Sequence, residues 1–149
     1  MRLTVAGAGC LAGLLLATLL LAEESAAPLS VRVAGEVRFK KSAPIFLRLI
    51  ALDEAKTEVV VRERIIELTT DDVARAAVPF EFAGLTPGRY ALKCFQDTNG
   101  NQKIDIGLFG PKEPWATYRL AKPKLRAPRF EEMAFDAVQD VTNAHLILR

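Results

Sequence analysis

The segment from Asp97 to Asp105 has the clearest spacing for specific chemistry in this sequence. It reads DTNGNQKID, which places the side-chain oxygens of Asp97, Asn99, Asn101 and Asp105 at loop positions 1, 3, 5 and 9. The backbone carbonyl of Lys103, at position 7, adds another oxygen. Ca²⁺ takes about six to eight oxygen ligands, and a tightly curled loop turns alternate side chains inward. The spacing therefore predicts a Ca²⁺ site.

Departures from the EF-hand loop predict that such a site is weak. Position 6, where that loop has glycine, is Gln102, and position 12, where it has a bidentate glutamate, is Leu108. Lys103 opposes the two carboxylates of the segment. Fewer carboxylates lower the affinity, so we expect a dissociation constant on the order of 10⁻⁴ to 10⁻³ M. Glu113 is a candidate for one distant ligand.

A purely structural turn is the alternative for the same segment. Asn99-Gly100 is a strong hairpin-turn signal, because both residue types accept positive φ. Asp and Asn side chains also bond to their own backbone in turns. The residues alone leave both interpretations open.

The first 22 residues have the layout of a secretory signal peptide. Arg2 precedes an uncharged apolar run, and Glu23 and Glu24 end that run. The run is long enough for an uncleaved membrane anchor, and a buried helix of the mature fold is a third alternative. Residues 23–30 form a short tether. We therefore expect an exported protein, periplasmic or on the cell surface, that meets a membrane only through this leader if it stays uncleaved.

The rest of the chain, residues 31–149, predicts one all-β domain. Apolar and polar residues alternate with the period of half-buried strands, and turn signals separate the runs. The pattern predicts an antiparallel sandwich of about seven strands after the N-terminal signal helix. Residues 69–77 fit a helical turn or a loop equally, and residues 112–129 an extended loop. The predicted strands are 31–39, 45–52, 59–68 (or a hairpin there), 78–82, at a sheet edge, 89–96, 130–138 and 141–148.

The composition narrows the function classes. A formal net charge of +2 is too small to indicate a nucleic-acid partner. His145 is the only histidine, and no nucleophile motif accompanies it, so a surface or edge position is expected and a hydrolytic enzyme is disfavoured. Cys10 lacks the context of a lipid-anchor site. Cys94 is then the one cysteine of the mature chain, and it alternates with apolar residues as a core residue does.

A basic stretch gives an alternative function. Residues 112–129 contain six basic side chains. This segment is either an ordinary solvated loop or a surface that binds anionic glycans or lipids. Trp115 and Tyr118, beside these cations, would either stack on a ligand or cover the end of the sandwich. The cations are Lys112, Arg119, Lys122, Lys124, Arg126 and Arg129.

Four stretches in order resemble the bacterial exported family called domain of unknown function 2141. They are LTPGRYA at 85–91, DTNGNQKID at 97–105, GPKE at 110–113 and PRFEEMAF at 128–135. The similarity runs from Gly84 to Arg149. It departs from the family where Gly110 and Pro111 are adjacent and where WATY stands at 115–118.

The resemblance implies a sandwich of the transthyretin-like or carboxypeptidase-regulatory type and no known activity. Taken with the residues, it gives the expected function: a non-catalytic module of the bacterial envelope that binds Ca²⁺ weakly through the Asp97–Asp105 loop. Its expected partner is an envelope protein or glycan.

Overall fold

The computed structural model of the protein describes residues 30–119 and 126–149. The predicted signal helix, the tether up to residue 29, and Lys122 and Lys124 of the basic stretch lie outside this part. Inside it the chain is mostly β-structure, as the alternation predicted, and it also contains two short helices. No helix in residues 30–119 or 126–149 is long and apolar enough to cross a membrane.

The described residues form ten strand segments, three more than the sequence predicted. The additional ones are the short segments β6, β7 and β8, which lie where a loop was expected or outside any predicted strand. The residues at 59–68 form one strand, β3, and no hairpin. The ten segments are β1 (Val31–Arg38), β2 (Ile45–Leu52), β3 (Glu58–Ile66), β4 (Ala77–Leu85), β5 (Gly88–Gln96), β6 (Ile106–Gly107), β7 (Gly110–Pro111), β8 (Trp115–Thr117), β9 (Phe135–Ala137) and β10 (Val141–Ile147).

These strands pair into two main sheets and a hairpin. The first sheet has the order β10-β1-β4, so β4 is the edge strand that its proline predicted. The second has the order β3-β2-β5-β8, and β9 pairs with the beginning of β5. β6 and β7 pair only with each other.

One pairing departs from the antiparallel prediction, because β10 runs parallel to β1. The register between these two strands shifts between Val33 and Gly35, where Gly35 lies opposite Ala144. A Cβ at Gly35 would stand 1.9 Å from the Ala144 carbonyl oxygen. The close approach of the two backbones therefore requires glycine at this position.

Both main sheets contribute side chains to one hydrophobic cluster. Val33 and Val37 come from the first sheet, and Leu49, Leu92 and Cys94 come from the second. The residues of β1 and β5 alternate as the sequence predicted, and all five are at most 4% exposed. Burial of apolar surface of this kind is the main stabilising contribution to the fold.

The predicted strand at 130–138 is wrong in its first half. Residues Phe130–Met133 form a short helix, α2, and β9 begins only at Phe135. Phe130 and Met133 are three residues apart, which puts them on one side of a helical turn, where they pack on Ala91 and Ile50. The helix thus covers part of the second face of β5, and this tertiary packing overrode the alternation.

The segment at 69–77 contains a helix, as one of its two interpretations predicted. Helix α1 spans Thr70–Arg75 and begins with a capping box between Thr69 and Asp72. The Thr69 hydroxyl accepts a hydrogen bond from the Asp72 backbone N–H, and the Asp72 carboxylate accepts one from the Thr69 backbone N–H. The hydrogen bonds from Thr69, and then the one from Arg75, lower the pKa of Asp72.

Candidate functional site

Asp97 organises the first half of the predicted loop. It follows the last residue of β5, is 4% exposed, and its backbone N–H donates to the Pro44 carbonyl at 2.9 Å. Its carboxylate accepts three backbone N–H groups, from Gly100 at 2.8 Å, Asn101 at 3.2 Å and Gln102 at 2.8 Å. Gly100 and Gln102 have positive φ, which lets the backbone curl around this carboxylate.

Asp105 gathers the second half. Its two carboxylate oxygens accept the side-chain amides of Asn99 at 2.7 Å and Asn101 at 3.2 Å. The amide oxygens of the two asparagines accept the backbone N–H groups of Asn101 at 3.1 Å and Lys103 at 2.9 Å. The structure therefore brings all five predicted residues into one loop, in which Lys103 donates its backbone N–H.

Glu113 joins the two ends of the loop from a second segment. It is 4% exposed, and its Oε1 accepts the Thr98 backbone N–H at 2.9 Å while its Oε2 accepts that of Asp105 at 3.3 Å. The Lys112 backbone N–H adds a 2.8 Å bond to the Asp105 carbonyl. Sequence spacing suggested Glu113 as a distant ligand; in the structure it clamps the base of the loop.

The carboxylates of this site have no basic partner in the described part of the chain. Asp97, Asp105 and Glu113 appear in none of its salt bridges. Backbone N–H groups compensate the burial of Asp97 and Glu113, as buried anions require. Within residues 30–119 and 126–149, no three His, Cys, Asp or Glu side chains form a group that could hold a metal. A cation here would need asparagine and backbone oxygens as well.

Gln96, beside Asp97, is a buried polar residue that the sequence analysis missed. It is 0% exposed, and its Nε2 donates to the carbonyls of Lys41 and Ala43. Its Oε1 is the buried side-chain oxygen without a hydrogen-bond partner among the described residues. The one signal for it in the sequence was its position as a polar residue at the end of a largely apolar strand. Gln96 ties the turn at 41–43 to the start of the loop.

Of the four described cations of the basic stretch, Arg126 has an acidic partner in a salt bridge. Arg126 forms a two-bond pair with Glu132, at 2.8 and 2.6 Å. The hydrogen bonds from Arg126 and from the Arg129 backbone lower the pKa of Glu132 to about 2. Tyr118 meets Phe135 edge to face at 5.1 Å and packs on the main cluster, which favours its covering role. Arg119 lies 5.6 Å from the Tyr118 ring centre.

Two other chemical candidates lie away from the loop. His145 is exposed on β10, opposite Glu36 of β1, which agrees with the predicted surface position. Cys94 is buried, and desolvation raises the pKa of its thiol to about 12, which makes it a poor nucleophile. Two clefts near the ends of β1 and β10 share Lys40 and Leu148, and neither is lined by a residue of the loop.

The fold and the site define a class: a mostly β protein with an Asp- and Asn-rich loop clamped at the end of a central strand. The family model described as "Uncharacterized protein conserved in bacteria (DUF2141)" matches residues 40–145, and the chain belongs to this family. The match confirms the suspected family and begins earlier than the resemblance from Gly84, because it also spans β2 to β4. Neither a curated protein nor a solved structure matches the chain.

Proposed function

We propose that the protein is an exported, non-catalytic β-sandwich module of the bacterial envelope that binds Ca²⁺ in the millimolar range through its Asp97–Asp105 loop. The membership in a bacterial family supports the bacterial setting. The charge layout of residues 1–24 supports export. The partner that this module would serve is an envelope protein or glycan.

The packing supports a sandwich, and the transthyretin-like type within this class is what the family resemblance implies. Two sheets share one cluster of buried side chains, as the layers of a sandwich do. In addition, the Tyr90 hydroxyl, near the start of β5, donates to the Thr86 carbonyl at 2.6 Å. A tyrosine bonded in this way to the backbone a few residues upstream is typical of the corners between strands in immunoglobulin-like sandwiches.

The surroundings of the Asp105 carboxylate carry the Ca²⁺ proposal. Two asparagine amides from different loop positions converge on its two oxygens, at 2.7 and 3.2 Å. Rotation of Asn99 and Asn101 about their terminal bonds would bring oxygen in place of nitrogen toward Asp105. A cation between these groups would then compensate the repulsion, with side-chain oxygens of the kind that Ca²⁺ prefers.

The same contacts explain why the affinity is expected to be low. Ca²⁺ must replace both amide–carboxylate hydrogen bonds of Asp105, and rotation also removes the bonds that the two amide oxygens accept from backbone N–H groups. Asp97 is occupied by three backbone donors. These losses oppose binding, so the dissociation constant falls at about 10⁻⁴ to 10⁻³ M.

The positions of His145 and Cys94, the two residues best suited to catalysis, support a non-catalytic role. His145 is exposed on an edge strand with only Glu36 opposite, and the Cys94 thiol is buried in the apolar cluster. A catalytic base and a nucleophile need to lie within hydrogen-bonding reach of each other. His145 is exposed on the first sheet, whereas Cys94 is buried and belongs to the second sheet.

Calorimetric titration with Ca²⁺ tests the proposal. We expect heat and a rise in melting temperature at millimolar Ca²⁺, and loss of both in Asp105→Ala. The matched control is Asp53→Ala, which removes an aspartate that accepts the Thr57 N–H in a different turn and should leave binding unchanged. The proposal fails if the native protein gives no heat at millimolar Ca²⁺, or if Asp105→Ala binds as the native protein does.

A further inference from the structure

The hairpin after the loop exposes an apolar tip. β6 and β7 pair Ile106 with Pro111 and Gly107 with Gly110, which leaves Leu108 and Phe109 as the two tip residues. Leu108 is 91% exposed and Phe109 is 100% exposed, while Ile106 on the first strand is 67% exposed. Single exposed apolar residues are ordinary, but three large ones within four positions of one hairpin indicate an interaction site.

The base of this hairpin is held in place. Next to it, the Lys112 backbone N–H bonds the Asp105 carbonyl at 2.8 Å, and the buried Glu113 bonds the backbone of Thr98 and Asp105. The aliphatic stem of Lys112 lies over Gly107, where a Cβ would meet the lysine Cε at 3.1 Å. A tip presented on a fixed base loses little conformational entropy when it binds.

The exposed charges that flank the hairpin in sequence are positive, while the half-buried Asp105 is hydrogen-bonded to two asparagines of the loop. Lys103 and Lys112 are both exposed, and within the described residues neither forms a salt bridge. Glu113, the nearest acidic residue after Lys112, is buried and hydrogen-bonded. An apolar tip flanked in sequence by two exposed lysines matches the layers of an anionic bilayer surface, where acyl chains lie beneath negatively charged headgroups.

We propose that this hairpin, Ile106–Pro111, inserts Leu108 and Phe109 into the interfacial region of a bilayer that contains anionic lipid. Lys103 and Lys112 then lie at the headgroups. A tip that protrudes can enter a deformable surface without a preformed pocket, which favours lipid over a protein groove. Leu108 and Phe109 are not among the residues proposed to bind Ca²⁺, so their insertion can be tested without the metal.

The side chains set the size of the expected effect. Full burial of a Leu or Phe side chain changes a partition coefficient by roughly ten- to a hundredfold. Burial at an interface is partial, so we expect the double change Leu108→Ser/Phe109→Ser to weaken vesicle binding by about a hundredfold. Each lysine near an anionic surface contributes on the order of fivefold. The pair Lys103→Gln/Lys112→Gln should therefore weaken binding by about twenty-five-fold.

Tryptophan fluorescence of Phe109→Trp locates the tip directly. The protein is purified in the form that the cell accumulates, so that any leader is common to all variants, and EDTA removes Ca²⁺. Vesicles contain phosphatidylethanolamine and phosphatidylglycerol, with and without brominated acyl chains. We expect a blue shift of the new tryptophan relative to the native protein, whose one tryptophan is Trp115, and quenching by the brominated lipid.

Sedimentation with the same vesicles gives the affinities. The matched control, Val60→Ser/Val138→Ser, removes two apolar side chains that are 53% and 62% exposed elsewhere, and should bind as the native protein does. The proposal is overturned if the tryptophan at position 109 is neither shifted nor quenched, or if the control loses as much binding as the tip variant. Because EDTA is present throughout, such a failure leaves the Ca²⁺ proposal untouched.

Discussion

Replacement of Asp97 by alanine should destabilise the protein more than its position in a loop suggests. The variant removes an acceptor that bonds the backbone N–H groups of Gly100, Asn101 and Gln102. A hydrogen bond to a charged group contributes about 1.5–3 kcal/mol when it is buried. The three donors belong to exposed residues, so water replaces part of what is lost. We expect a decrease of about 2–4 kcal/mol in the free energy of unfolding, which is within the range for loss of a buried network.

Urea denaturation followed by circular dichroism measures this decrease, and Asp53→Ala is the control. Asp53 also organises a turn, but its carboxylate accepts a single backbone bond, from Thr57 at 2.8 Å. We expect that variant to lose about 0.5–1 kcal/mol. If Asp97→Ala costs no more than Asp53→Ala, then the three bonds do not organise the loop and the reasoning is refuted.

Three further predictions concern the fold. Gly35→Ala should lower the free energy of unfolding, measured in urea, by at least about 3 kcal/mol, because the new Cβ would overlap the Ala144 carbonyl. The control Gly84→Ala is strained only by its positive φ and should lower it by about 1–2 kcal/mol. Equal losses in the two variants would contradict the close approach of the two backbones. Met133→Ala should lower the free energy of unfolding by about 2–5 kcal/mol, because this side chain, at the end of α2, is fully buried. A loss below about 1 kcal/mol would contradict that packing. Cys94 should resist iodoacetamide at pH 9 until urea unfolds the chain, because burial raises the pKa of its thiol from 9.0 to about 12. The free energy of unfolding should also decrease as the pH rises above about 9, because the thiol then ionises in the unfolded chain but not in the folded protein. Rapid alkylation of the native protein would contradict its burial.

Apolar patterning was sufficient to predict the long strands but not their partners. In β1 and β5 the apolar residues of one face meet the shared cluster, so the period of two carried the information, whereas β2 was predicted from a nearly continuous apolar run. The pattern carried no information about the direction of β10, whose partner β1 is distant in sequence, or about the register shift near Gly35. It also failed at Phe130 and Met133, whose spacing suits a helix and whose burial depends on Ala91.

For the candidate site, the sequence predicted the members of the loop but not how they are bonded. Spacing identified Asp97 and Asp105, because oxygen-bearing residues at alternate positions are visible in one short segment. It could not show that Glu113 bonds the backbone at both ends, since that contact joins residues up to 15 positions apart. The apolar residues at the tip, around Leu108, can be read from the sequence, but their exposure follows only from the pairing of β6 with β7.

The central functional claim is that Ca²⁺ enters the loop where the asparagine amides face Asp105, and the side-chain NH₂ resonances of Asn99 and Asn101 report on this place directly. A titration followed by two-dimensional ¹⁵N NMR should shift both pairs of signals with one dissociation constant of about 10⁻⁴ to 10⁻³ M, and Mg²⁺ at equal concentration should shift them less. Amide signals that stay in place through millimolar Ca²⁺ would contradict the claim and leave the loop a structural turn.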